Sequence, residues 1–399
     1  MKSFFIRSYG SAENDLALNR LYSVVPVWRG VVKASEALSL PAYTLLHAGP
    51  AFKDPTVPSA PILSSAALSS VYEGWADSPE TAISLIRSGK IALRSAQEFG
   101  AVVPLAAVIS PSTTLVEIVD INNPVPGICW SELSTGPGPM LRFGSGDMAI
   151  IERMRFREKV LAPALSAMIG NKPIPLFPHA LNGLKNGDDL HASTLSATSS
   201  LAEEFAKRNS SDKLRNEAIS LLHDTPLFFL TLWMAACQLM LNAMAKNGSS
   251  SSLVVALAGN GQQCGIRVSG QPDRWITAIA GKPTGNTDCE PSEVCGVVGD
   301  SGCIDAVGFG AQLRYHRTSR NMDRLSTETF VDEALWGGGK HPYFSQYISL
   351  SAIDISKISQ SRVLPEIAIA MLDARGKIGL LGKGIYKTET VMYLSGVGG

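Results

Sequence analysis

The stretch from Ser252 to Thr277 constrains the fold of this chain more than any other. Leu253 to Ala258 is an apolar run of strand length, Gly259-Asn260-Gly261 is a turn signal, and Gly265 to Ser269 alternates again around Arg267. Apolar runs punctuated by glycine in this way predict a hairpin. A second turn, Gly270-Gln-Pro-Asp273, sets Arg274 at the start of a third strand. The meander therefore offers Arg267 and Arg274 beside glycine amides, and a guanidinium presents a planar fork of donors that matches phosphate and carboxylate. The same arginines would equally serve core ion pairs, with Asn260 merely turning the chain.

With 399 residues, 45% of them hydrophobic and 18% charged, the chain can bury a large core and is expected to divide into lobes. The 35 basic and 35 acidic residues balance, which argues against a nucleic-acid or anionic-membrane surface and favours a small-molecule partner. The apolar run Phe4-Phe5-Ile6 is cut by Arg7, and Glu13 and Asp15 follow, so a cytoplasmic location is expected. Cys129, Cys237, Cys264, Cys289, Cys295 and Cys303 are too dispersed for a disulfide framework and read as reduced thiols. The spacing of the last three does not match a zinc site.

Asp15 to Leu38 has apolar positions at mixed helical spacing and predicts two short helices broken at Pro26 and Gly30. Ala42 to Ala48 reads as a buried strand that places His47 at its end, as a packing residue or a site candidate. Ser59 to Trp75 predicts a helix, and Ser78-Pro79-Glu80 opens another with an N-cap serine and a proline in the first turn. Ala101 to Ser110 and Thr114 to Val119 read as strands. Asp147 caps a long amphipathic helix to about Ile169, in which Glu152, Arg153, Arg155, Arg157 and Glu158 mark solvated positions.

Asp188, Asp189 and His191 precede a helix expected over about Thr194 to Lys207. At i and i+3, Asp188 could orient His191 as a general base, or the group could hold a metal; equally, Asp188 caps a helix that carries a surface histidine. Pro226 to Ala245 carries no charge and is long enough to span a bilayer, yet Thr231, Gln238 and Asn242 interrupt it, and a helix buried all round explains it better. Asp300 and Ser301 sit on a glycine-flanked turn, Gly299-Asp-Ser-Gly302, as ligand-bonding groups rather than a covalent nucleophile. The run Gly376 to Gly384 is glycine-rich enough to cradle an anion but lacks the P-loop order.

The segments Leu46-His-Ala-Gly-Pro50, Tyr72-Glu-Gly-Trp-Ala76, Leu141-Arg-Phe-Gly144, Gly187-Asp-Asp-x-His191, Gly265-Ile-Arg-Val-Ser-Gly270, Asp273-Arg-Trp275 and Gly299-Asp-Ser301, taken in order, resemble the YlbE-like family over about residues 42–385. The resemblance implies an α+β fold, a multi-lobed mixed α/β protein with a small helical subdomain. We divide it as an α/β lobe over 1–145, helices over 146–246 and a second α/β lobe over 247–399. It also implies a component of an oxamate carbamoyltransferase, acting with an FdrA-like partner on carbamoyl phosphate, with no redox cofactor and as an oligomer.

On that reading Arg267, Arg274, Asn260, Ser269, Asp300, Ser301 and His47 bind the substrate, and His191 moves protons with Asp188 behind it. The chain departs from the family where Asp189 replaces Glu, where Ser193 and Thr194 replace an Arg-Asn pair, and where Gly259 replaces an Arg. These departures keep a second expectation open, a non-catalytic subunit that binds a metabolite or stabilises a partner. A third, a metal-dependent amide hydrolase on Asp188, Asp189 and His191, lacks a fourth clear ligand.

Overall fold

The computed structural model describes residues 11–123, 127–208, 213–287, 290, 293–313, 335–348 and 351–394. The chain is a mixed α+β protein built on several separate small sheets. One sheet has five strands, ordered Ala101–Val102, Ile128–Glu132, Thr114–Asp120, Pro26–Lys33 and Ile174–Pro175. The two short helices expected around the break at Pro26 and Gly30 form as Ala12–Ser23 and Ala34–Ala37, but the break itself is a strand, Pro26–Lys33: it pairs antiparallel with Thr114–Asp120 from Pro26↔Asp120 to Lys33↔Thr114, and a bulge between Trp28 and Gly30 breaks the period-two pattern. Pro26 opens the strand, where a missing amide costs least.

The meander forms as its turns dictate. Val254–Asn260 and Gln263–Val268 pair antiparallel, Gln271–Ile279 adds outside them, and Val298–Gly299 closes the other edge. Asn260 shapes the tight turn by accepting the amides of Gln262 and Gln263 on its Oδ1 at 2.9 and 2.7 Å. A third sheet, Thr284–Gly285, Leu380–Lys387 and Glu366–Leu372, contains part of the late glycine-rich run. The strand Thr44–His47 lies between Ala92–Ser95, which is parallel to it, and Val108–Ile109, which is antiparallel. Residues 101–110 thus form two short strands in different sheets rather than one.

The apolar window forms the helix Phe228–Met244, buried along nearly its whole length. Its aromatic residues build a ring cluster in which Trp233 stacks on Phe229 at 5.8 Å and meets Phe309 edge-on at 5.1 Å. No single described helix is long and apolar enough to cross a membrane. The helices Ala60–Tyr72 and Pro79–Arg87 form as expected, the second capped by Ser78 Oγ accepting the Thr81 amide at 3.2 Å.

The helix after Asp147 corrects one reading of its charges. A π turn over Arg157–Leu161 interrupts it, and the extra residue per turn swings Arg157 and Glu158 inward together. The Arg157 side chain is 1% exposed and donates from Nε to Glu158 Oε1 at 2.8 Å, and Glu158 also binds Lys33. Both were expected in solvent; instead they form a buried ion chain. Cys129, Cys237, Cys264, Cys295 and Cys303 are free thiols, all buried. Cys289 lies outside the described residues.

Candidate functional site

A cavity of about 110 Å³ opens where the third sheet meets the loops around residues 104, 142, 191 and 301. Its walls are mostly apolar, including Pro104, Leu105, Leu230 and Ile369, and the polar side chains among them are Arg142, His191, Ser301 and Lys383. Two non-glycine residues beside it, Leu105 and Leu190, hold φ of 49° and 65°. Left-handed backbone at such residues costs on the order of 1–3 kcal/mol and concentrates at working sites.

Arg142 sits in the short turn Leu141–Phe143. Its carbonyl accepts the Ala106 amide at 3.0 Å, and Ser65 Oγ donates to the Leu141 carbonyl at 2.8 Å, so the backbone is held from two sides. The side chain is only 7% exposed, yet among the described residues its guanidinium makes no hydrogen bond; it lies over the Phe143 ring at 5.0 Å. Burial pulls its pKa below the ordinary arginine value, partly offset by the buried carboxylate of Glu132. A buried cation without acceptors is costly, so one that faces a cavity is a place for an anion.

His191 lies in the loop between the helices Leu176–Lys185 and Leu195–Arg208. Asp189 shapes that loop by accepting the amides of His191 and Ser193, each at 2.9 Å. The carboxylate holding the imidazole is not Asp188 but Asp305, whose Oδ2 lies 2.6 Å from His191 Nδ1. Asp188 instead accepts Ser193 Oγ at 2.8 Å and the Ala197 amide at 3.0 Å, capping the helix that follows. The two residues share no helix face, because the helix starts only at Leu195.

Asp305 is completely buried on the short helix Gly302–Val307, where its Oδ1 accepts the Ala311 amide at 2.8 Å. Burial raises its pKa, and the His191 ring pulls it back. Gly310 permits the packing: at φ 61°, a Cβ there would stand 2.5 Å from Asp305 Oδ1 and 3.0 Å from His191 Cβ.

Of the remaining sequence candidates, one reaches this cavity, two join a second polar cluster, and the others make separate contacts. Ser301 lines the cavity, with its Oγ buried and unpartnered among the described residues. Asp300, next to it, points into the cluster, accepting the amides of Gly49 and Val103 at 2.9 and 2.8 Å and Gln97 Nε2 at 2.8 Å. Burial raises its pKa to about 6 against those bonds and the nearby Arg267. Arg267 donates to Gln97 Oε1 and to the Pro272 carbonyl and lies over Trp275 at 5.0 Å.

Arg274 is exposed and bonds Gln271 at 3.2 Å, so the two arginines are not brought together. Adjacent to Trp275 on the same strand, it points to the opposite face. Asn260 and Ser269 are buried in structural bonds to the Pro50 and Met244 carbonyls, at 2.9 and 2.6 Å. His47 is fully buried beside Phe52, bonded at Nδ1 to the Ala48 carbonyl, and burial lowers its pKa to about 4.

Two cavity residues, Arg142 and Lys383, and Asp305 buried behind His191 were not singled out from the sequence. Arg142 stood inside the Leu141-Arg-Phe-Gly144 segment, and Lys383 inside the glycine-rich run. Asp305 carried no local signal, since its partner lies 114 residues away.

A family model described as oxamate carbamoyltransferase subunit AllG matches residues 91–301, which include Arg142, His191 and Ser301. The oxamate carbamoyltransferase subunit AllG of Escherichia coli K12 is 28% identical over 407 aligned residues, covering 95% of each chain. The uncharacterized protein YahG of the same organism is 28% identical over 396, covering 94% of this chain and 82% of YahG. A crystal structure of a conserved protein of unknown function from Enterococcus faecalis V583 shares the fold, with a TM-score of 0.87, 23% identity and 96% of each chain covered.

Proposed function

Because the chain belongs to the family of oxamate carbamoyltransferase subunits AllG, we propose that it is a cytoplasmic subunit of a carbamoyl-transferring complex, with an FdrA-like chain as a partner, and that its cavity holds a small organic anion during transfer. The observation that carries this reading is Arg142, buried, without a hydrogen bond among the described residues, and facing a cavity that it shares with the His191–Asp305 pair.

The groups divide the work. Arg142 fixes the anion with its fork, and Lys383, exposed on the strand Leu380–Lys387, adds a positive charge at the mouth. Asp305 accepts His191 Nδ1–H, which leaves Nε2 as the base. In the reaction of oxamate with carbamoyl phosphate, the amide nitrogen attacks the carbamoyl carbon, phosphate leaves, and oxalurate forms. His191 takes the proton that the nitrogen gives up, and Ser301 Oγ supplies a hydrogen bond within the cavity.

The test follows carbamoyl phosphate formed from oxalurate and phosphate by the chain co-expressed with its FdrA-like partner. His191→Gln should lower kcat by about a hundredfold to ten-thousandfold, the usual contribution of a positioned base. Full turnover by this variant would refute the role. The second polar cluster supports a non-catalytic alternative only if turnover persists without His191 and Arg142.

A further inference from the structure

We infer that Glu132 sets how tightly the cavity holds an anion: it is a built-in competitor for Arg142, pinned too far away to close an ion pair, so that the arginine stays oriented yet exchanges its guest. This rests on the small-anion reading above and adds to it a residue outside the cavity lining.

Position gives the first argument. Glu132 ends the strand Ile128–Glu132 and is 6% exposed. Arg142 stands in the turn Leu141–Phe143, whose backbone is bonded to Ala106 and Ser65. Backbone bonds thus fix both groups, and among the described residues no ion pair joins them. Their charges still act on each other, because both are buried. A carboxylate in contact would occupy the guanidinium fork; one held off leaves the donors free.

Sharing gives the second. Glu132 Oε2 has no hydrogen bond and lies 3.8 Å from Arg157 Nη1, so two arginines draw on one carboxylate. Arg157 is held in place, donating from Nη1 to the Leu133 carbonyl at 3.4 Å and from Nε to Glu158 at 2.8 Å. Glu158 in turn binds Lys33 and accepts the Thr114 amide at 3.0 Å. Charge therefore alternates from the cavity outward through Arg142, Glu132, Arg157, Glu158 and Lys33, whose side chain is 37% exposed. Within it Arg142 has only a shared counter-ion.

Competition gives the third. An anion on Arg142 divides that cation with Glu132 and is repelled by it. A charge within about 4–6 Å moves an ionisation equilibrium by about one to three powers of ten. Glu132 acts from beyond contact, so the lower end of that range, about tenfold, is expected. Affinity lowered in this way lets a product anion leave.

The experiment is calorimetric titration of the purified chain with inorganic phosphate, whose oxygens suit the same fork, at an ionic strength fixed with sodium chloride. Glu132→Gln keeps the shape and removes the charge. Phosphate binding should tighten about tenfold, while the anion-free variant unfolds at a lower temperature because a buried cation has lost its counter-ion. The opposite signs separate this role from a merely structural one, which would lower both. Unchanged or weaker phosphate binding by the folded variant would overturn the inference. If the variant folds only with added anion, recovery in phosphate and not in sodium chloride of equal ionic strength supports it, and recovery in neither overturns it. Arg142→Met distinguishes the two readings. Phosphate binding that survives this substitution removes the small-anion reading, as does phosphate bound by neither the unaltered chain nor Glu132→Gln. Binding lost in Arg142→Met but not tightened in Glu132→Gln removes only the role of Glu132.

Discussion

Asp300 gives this protein a pH-dependent stability whose sign and size follow from its surroundings. Its carboxyl is fully buried and ties together Gly49, Gln97 and Val103, and burial raises its pKa from the ordinary 3.8 to about 6. The folded state therefore holds this proton more tightly than the unfolded state, and between about pH 4 and pH 6 it binds more protons. Stability falls as pH rises through that window, and the cost is fully present above about pH 6. At about 1.4 kcal/mol per pH unit, the difference amounts to about 3 kcal/mol.

Asp300→Asn isolates the effect. The amide cannot ionise, and its oxygen can still accept from Gly49 and Gln97, but its Nδ2 meets the Val103 N–H, which should cost about 1–3 kcal/mol at every pH. Urea unfolding of both proteins at intervals from about pH 4 to pH 7 should show the advantage of the unaltered protein shrinking by about 3 kcal/mol. Parallel stability curves, or an advantage that grows with pH, would refute the reasoning. Asp305, also raised by burial, is common to both proteins and cancels.

Two further substitutions test the packing and the proposed proton path. Gly49 has φ 80°, and a Cβ there would stand 2.4 Å from the Gly259 carbonyl carbon, so Gly49→Ala should cost more than about 2 kcal/mol in thermal unfolding. Gly74, with φ 73° and nothing within 4 Å, is the control, and Gly74→Ala should cost only about 1 kcal/mol. In Asp305→Asn the amide oxygen can keep the Ala311 amide while Nδ2 donates to His191 Nδ1, which moves the ring proton to Nε2. Turnover should fall by about a thousandfold or more while anion binding measured by calorimetry persists; retained turnover would remove the pair from the mechanism.

The amino-acid order alone determined whatever depends on neighbours in the chain. Glycine spacing set the Val254–Asn260 hairpin, Ser78 and Pro79 set a helix start, and the uncharged run from Pro226 set a buried helix. Each of these has its cause within a few residues, where backbone conformation and hydrophobic period act.

Tertiary structure decided the rest. The strand Pro26–Lys33 has a bulge that blurs its alternation, and its identity comes from the partner Thr114–Asp120. Arg157 and Glu158 look like surface charges until the π turn carries them inside. The pairing of His191 with Asp305 rather than Asp188 could not be read locally, because a loop and not a helix holds residues 188–191. The cavity gathers residues 142, 191, 301 and 383 from separate parts of the chain. Local sequence carries no record of such a convergence, because it arises only when distant elements pack, and there burial and charge assign each group its chemistry.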